Sequence, residues 1–244
     1  VDRFVAPSRF YADHMCRRLE VAAERIATVH NGIDLEGMTP ADAPASDTIG
    51  YLARMHPQKG LHVLVEAFMQ LKSDRRFDAV RLVVAGAMTR SDHPYVRGLQ
   101  RQLERANLAN AVTWRANVSR AEKVALLRRI TALCVPATYP EAFGLYAVEA
   151  WACGAALVAP RIGALPELAE ATGGAVLCEP NDPASTADAL GEVLGDVERA
   201  RQLGRRGRAA VTERFTDRHM AEGFADVVRR VIDAHRPASS SPGG

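Results

Sequence analysis

Two carboxylates and two cations stand out as residues that could act together. Glu141 and Glu149 lie in TYPEAFGLYAVEAWACG, residues 138–154, with seven residues between them. Arg54 and Lys59 lie in ARMHPQKGL, residues 53–61. Each segment follows a short apolar run, TALCVP or TIGYLA, and opens a stretch of helical spacing. Parallel sheets bind their ligands at such strand-to-helix turns. Arg54 and Lys59 on one turn can reach a single anionic group such as a diphosphate, Arg as a fork of donors and Lys as a mobile point charge. The amides of Phe143, Gly144 and Leu145 would open the other helix, where free N–H groups and the dipole favour a phosphate. Gly144 lets a ligand approach the backbone closely. Glu141 would point from the turn into the crevice, and Glu149 would project from the helix beside it. The plainer readings are solvated basic residues on one loop, and an acidic helix start with a surface glutamate on the other.

The elements that must position these groups read as alternating strands and helices. Apolar, β-branched runs occur at Thr48–Ala53, Val80–Gly86, Ala111–Trp114, Thr131–Pro136, Ala155–Pro160 and Gly174–Cys178. Between them lie Leu61–Leu71, with apolar Leu61, Leu64, Val65 and Phe68, then Tyr95–Ala106, Ser119–Arg129, Gly144–Cys153, Leu165–Ala169 and Pro183–Leu194. Strand and helix in alternation predict an α/β, Rossmann-like, three-layer fold with a mostly parallel sheet. Val1–Ser8 and Arg25–His30 read as two further strands around a helix, Asp42–Asp47 as a loop, and Glu198–Arg214 and Asp217–Ala234 as late helices. The last stretch, PASSSPGG, reads as a disordered tail by composition.

Composition narrows the classes. The 244 residues are 48% hydrophobic and 25% charged, which excludes disordered and collagen-like chains. Thirty-one Lys+Arg against 29 Asp+Glu leave +2, too little for a dedicated nucleic-acid binder. Cys16, Cys134, Cys153 and Cys178 form no C-x-x-C pair and read as buried, reduced cysteines of a cytoplasmic protein. No run approaches the roughly 18 apolar residues of a membrane span. No Asp-x-Asp or Glu-x-Glu occurs and the seven histidines show no ligand spacing, so no metal or cofactor is expected. Arg199, Arg201, Arg205, Arg206 and Arg208 form a basic helix face. Contact with an acidic membrane surface, the inner face for a cytoplasmic protein, is its functional reading and a solvated face its plain one.

HNGID (residues 30–34), LARMHPQKG and YPEAFGLYAVEA, in that order, resemble glycosyltransferase family 4, the retaining enzymes of GT-B fold. VRLVVAG, AVTW and VAPRIGALPEL extend the resemblance over nearly all of Val1–Phe224. It implies an enzyme that moves a sugar from a nucleotide-diphosphate donor to a carbohydrate, lipid or small-molecule acceptor. By resemblance, Arg54 and Lys59 hold the diphosphate and stabilise the leaving group, Glu141 stands against the donor sugar, and Glu149 bonds the ribose. The resemblance also puts Phe143–Leu145 backbone on the sugar or phosphate, Leu145 and Tyr146 beside the ribose and phosphates, and the stretch from Arg115 to Val118 against the base. Ala53, Ala116, Gly86-Ala87-Met88 and Gly163-Ala164 depart from the family's common glycines, so donor base and sugar stay open.

The resemblance further implies a division of the chain. Residues 1–33 would be the last strand-helix-strand of an N-terminal acceptor domain whose bulk is missing, and residues 34–212 the donor-binding half. Residues 213–236 would be a helix crossing back, and 237–244 a tail. Such a fragment would bind a nucleotide-sugar without turnover. A non-catalytic nucleotide-sugar-binding module and a UDP-sugar epimerase of GT-B fold are the alternatives.

Overall fold

A computed structural model describes residues 2–41 and 47–236. The expectations for 42–46, for the tail and for Val1 fall outside them. The chain runs β1 (Phe4–Ala6), α1 (Arg9–Leu19), β2 (Ile26–Thr28), β3 (Thr48–Leu52), α2 (Leu61–Leu71), β4 (Arg81–Gly86), α3 (His93–Arg105) and β5 (Val112–Ala116). It continues through α4 (Arg120–Leu127), β6 (Ala132–Cys134), α5 (Leu145–Ala152), β7 (Ala156–Pro160), α6 (Leu165–Thr172), β8 (Ala175–Cys178), α7 (Pro183–Leu194), α8 (Val197–Arg214) and α9 (Asp217–Ala234).

Six strands form one sheet in the order β5-β4-β3-β6-β7-β8, and every neighbouring pair is parallel. Helices cover both faces, so strands β6 and β7 are buried along their whole length. This doubly wound order reverses between β3 and β6, and the crevice above their carboxyl ends is the expected ligand site. Strand β6 stops at Cys134, two residues short of the expected end, because Pro136 has no N–H to give the ladder. Helix α6 runs on to Thr172, three residues past the expected end, where Gly173 in the left-handed region closes it with its N–H on the Ala169 carbonyl.

The apolar stripe of α2 explains how the first site turn is held. Leu61, Leu64, Val65 and Phe68 are fully buried. Gly60, just before them, has φ +71°, and a Cβ there would stand 1.7 Å from the Pro136 carbonyl oxygen. Only glycine lets the β3–α2 turn press directly onto the end of β6. The two site turns are therefore in contact through backbone.

Strands β1 and β2 pair in parallel, Phe4 with Ile26 and Ala6 with Thr28. Helix α9 lies against this pair: Ile33 bridges Thr216, and Gly223 packs on Val29.

Candidate functional site

After β3 the backbone makes a short 3-10 turn, Pro57–Lys59, capped by the His56 ring, which accepts from the Gln58 amide at 3.3 Å. His56 is thus a turn-capping residue. The Tyr51 hydroxyl staples the turn from below, donating to the Arg54 carbonyl at 3.0 Å and the Lys59 carbonyl at 3.4 Å. Lys59 is carried across the crevice. Its ammonium donates to Glu141 at 2.6 Å and to the Tyr139 hydroxyl at 2.5 Å. Burial alone would lower the Lys59 pKa, but these two partners outweigh it and raise it.

Glu141 is about nine-tenths buried. Its loop is gripped from α6: the Ala164 amide donates to the Glu141 carbonyl at 2.9 Å. Gly163 at φ +68° leaves only 2.5 Å between a would-be Cβ and the Glu141 nitrogen, so a side chain there would push the loop away. Gly144 then turns the chain at φ +95° into α5, whose first amides have no carbonyl within the helix to bond. Phe143 and Leu145 flank it differently. The Phe143 ring is buried between His30 and Phe215, while the Leu145 side chain is 44% exposed.

Arg54 and Lys59 do not share a partner. Arg54 donates from Nε and Nη2 to Asp92, at 3.3 and 3.2 Å. The Asp92 side chain is almost fully buried and also accepts from the Thr89 hydroxyl and amide. Those Thr89 bonds, with Arg54 adding its charge, bring Asp92 down to about 2. Glu149 pairs with Lys123 of α4 at 2.5 Å. Both catalytic-type cations and both glutamates are therefore already neutralised by charged neighbours. An anionic ligand would exchange partners rather than meet free charges.

Arg115 and Val118 sit apart from this cluster. Arg115 is exposed at the carboxyl end of edge strand β5, and Val118 packs half-buried against the core. Between them Asn117, at φ +56°, clasps Met88, accepting from its amide at 3.0 Å and donating to its carbonyl at 3.2 Å. That clasp shapes the β4 turn, Gly86-Ala87-Met88. The Tyr146 side chain turns inward from α5 into the core, 8% exposed, and its hydroxyl has no hydrogen-bond partner. The arginine face of α8 is largely committed: Arg199 pairs with Glu192, Arg205 with Glu198, and Arg208 donates to the Met38 and Ala152 carbonyls at 2.6 Å.

Spacing arguments missed five residues: the partners Asp92, Lys123 and Tyr139, and Ser8 and Glu167, which brace the segments around the Glu141 loop. Asp92 was findable, since Thr89-x-x-Asp92 has the spacing of a capping box, and the box is present. Ser8 and Glu167 carried no such signal. Ser8 is fully buried and donates to the Ala142 carbonyl at 2.7 Å. Glu167 accepts from the Arg9 and Phe10 amides at 3.1 Å and lies 3.0 Å from His30 Nε2. Burial would raise Glu167, but the His30 and amide bonds hold it below the usual carboxylate range.

A doubly wound parallel sheet with a basic, carboxylate-bearing crevice and a helix N-terminus at its switch point defines a Rossmann-like α/β half. Residues 42–210 match the family model described as glycosyl transferases group 1, and residues 1–36 match glycosyltransferase family 4. The chain belongs to the glycosyl transferases group 1 family, with the GT-B fold. A D-inositol 3-phosphate glycosyltransferase of Streptomyces avermitilis is 30% identical over 96% of this chain and 53% of its own length. One from Xylanimonas cellulosilytica is 32% identical over 97% and 58%. The chain thus spans about half the length of the curated relatives it matches. Among solved structures, a glycosyltransferase of Rickettsia africae superposes with a TM-score of 0.85 at 19% identity, over 95% of this chain and 64% of that one. Anabaena HepE in complex with UDP and glucose superposes at 0.82 and 22%, over 94% and 63%. No helix among the described residues is long and apolar enough to cross a membrane. No group of three or more metal-ligating side chains is gathered among them.

Proposed function

We propose that the whole protein transfers a sugar from a nucleoside-diphosphate donor to an acceptor with retention of anomeric configuration, and that this chain carries the donor site. The observation that supports this best is the Lys59–Glu141 pair at the switch point, facing the open first turn of α5. A diphosphate entering there would draw Lys59 from Glu141 and Arg54 from Asp92, and both cations would stabilise the charge that grows as the glycosidic bond breaks. The amides of Gly144 and Leu145 would add fixed donors. Glu149 would accept from a ribose hydroxyl. Glu141, released from Lys59, would face the departing sugar, and retention places the incoming acceptor on the face that the diphosphate leaves. The UDP and glucose named for Anabaena HepE are the kind of ligands this arrangement fits.

The test uses the full-length protein with a panel of nucleotide-sugars, and with D-inositol 3-phosphate among the acceptors because the relatives carry that name. Formation of a glycoside whose anomeric configuration matches the donor, followed by NMR, is the expected result. An inverted product, or nucleotide-sugar binding with no transfer to any acceptor, would overturn it. The 244-residue chain alone is expected to bind UDP and to show no turnover.

A further inference from the structure

The Lys59 ammonium is held by two partners, and only one of them is a carboxylate. The Tyr139 phenol oxygen accepts from it at 2.5 Å, and the same nitrogen stands 4.9 Å from the centre of the Tyr139 ring. Backbone contacts fix this meeting on both flanks. On one, the Thr138 amide donates to the Gln58 carbonyl at 2.9 Å, with the Thr138 hydroxyl on the same oxygen at 3.3 Å. On the other, Gly60 presses against the Pro136 carbonyl. Pro140 also disfavours helical backbone at Tyr139. A phenol can accept and donate at once. Tyr139 is half-buried, accepts from Lys59, and its O–H meets no acceptor among the described residues. An unspent donor therefore sits on the atom next to the ammonium.

We propose that Tyr139 is a further diphosphate ligand: when Lys59 exchanges Glu141 for the diphosphate it keeps Tyr139, and the Tyr139 O–H donates to an oxygen of the same anion. This rests on the reading of Lys59 as the diphosphate ligand. Reach supports it, because an anion oxygen bonded to Lys59 stands beside a phenol oxygen only 2.5 Å from Nζ, and a diphosphate has several oxygens to offer. Polarisation supports it as well. An O–H whose oxygen already accepts from a cation is a stronger donor, so Lys59 raises what Tyr139 can give. The phenol is also neutral. It brings its donor without a carboxylate partner to leave behind, whereas Lys59 must give up Glu141 and Arg54 must give up Asp92.

The test compares the 244-residue chain with Tyr139→Phe, with Lys59→Ala, and with Tyr139 replaced by fluorotyrosine, the fluorine beside the hydroxyl. Calorimetric titration with UDP and GDP is run below neutral pH, where the fluorinated phenol keeps its proton. Tyr139→Phe retains the ring and removes only the hydroxyl, and it is expected to bind the diphosphate about tenfold more weakly. Fluorination makes the O–H a stronger donor and its oxygen a weaker acceptor, so the fluorinated chain is expected to bind as tightly as the parent or more tightly. A residue that acted only by accepting from Lys59 would lose affinity in both variants. Unchanged affinity in Tyr139→Phe, or weaker binding by the fluorinated chain, overturns the proposal. If the parent binds neither nucleotide, or Lys59→Ala binds as well as the parent, the diphosphate reading of Lys59 falls first and the role of Tyr139 with it. A loss in Lys59→Ala with none in Tyr139→Phe sinks only the role of Tyr139.

Discussion

Lys59 donates to Glu141 across 2.6 Å although 82 residues of chain separate them. The two residues arrive from the turns that follow β3 and β6, neighbours only because the strand order reverses between them. A cation and a carboxylate that satisfy each other set the terms on which an anionic ligand can enter.

The first consequence concerns which substitutions matter for the diphosphate. Lys59→Ala and Arg54→Ala each remove a charge-assisted donor, and each is expected to weaken UDP binding by about 10- to 100-fold. Glu141→Ala removes the competitor for Lys59, so affinity should hold or improve. Isothermal titration checks the order, and a larger loss for Glu141→Ala than for Lys59→Ala would reverse the assignment.

Acid stability should carry the signature of Asp92. Its folded pKa of about 2 lies below its ordinary 3.8, so its contribution is present above about pH 4 and is lost as the pH falls toward 2. Asp92→Asn is expected to lower the melting temperature at neutral pH and to flatten the acid limb between pH 4 and 2. Circular dichroism melts across that range measure both.

Gly60→Ala tests the backbone contact between the two turns. At φ +71°, and with its Cβ 1.7 Å from the Pro136 oxygen, alanine must displace one turn from the other. The expected loss is about 2–3 kcal/mol, roughly 5–10 °C in melting temperature for a domain of this size. Diphosphate affinity should fall with it, because Lys59 is the residue before. A variant that melts and binds like the parent would show that the turns move freely.

Metal removal should not touch the nucleotide site. On the proposed reading, Arg54, Lys59 and the first turn of α5 would supply the positive charge for which a divalent ion would otherwise serve, and the sequence has no Asp-x-Asp. UDP titrations with excess EDTA and with added magnesium are expected to give the same affinity; a strong dependence on magnesium would contradict this.

The fold was readable wherever burial wrote itself into residue type. Strands β3, β6 and β7 are covered on both faces, so they appear as unbroken apolar runs, and Leu61, Leu64, Val65 and Phe68 of α2 are all buried, together with Val63, Ala67 and Leu71, which the stripe left out. Glu141, Lys59, Arg54 and Glu149 were readable as chemistry because charged residues beside strand ends and glycines are few. Their partners were not. The Thr89-x-x-Asp92 spacing marks Asp92 as a capping residue but not as the partner of Arg54, Lys123 looks like any polar residue near the start of a helix, and pairing across 26 to 38 residues leaves no periodicity. Tyr146 was placed beside the ribose and phosphates by resemblance, but its side chain points under the helix. Helical spacing fixes a face only when the neighbours are known, and here Leu145 is exposed while Glu149, four residues on, pairs with Lys123 of α4.

The braces around the Glu141 loop also bear on how the chain reaches this state. Ser8 meets Ala142 across 134 residues, and the Arg9 amide meets Glu167 across 158. Contacts of such high order are closed late, because the loop entropy must be overcome before they reward it. Among the described residues β1 and β2 pair in a two-stranded ladder, and α1 meets Glu167 only once the six-stranded sheet has placed α6. The β1-α1-β2 segment thereby settles late, against the loop that carries Glu141.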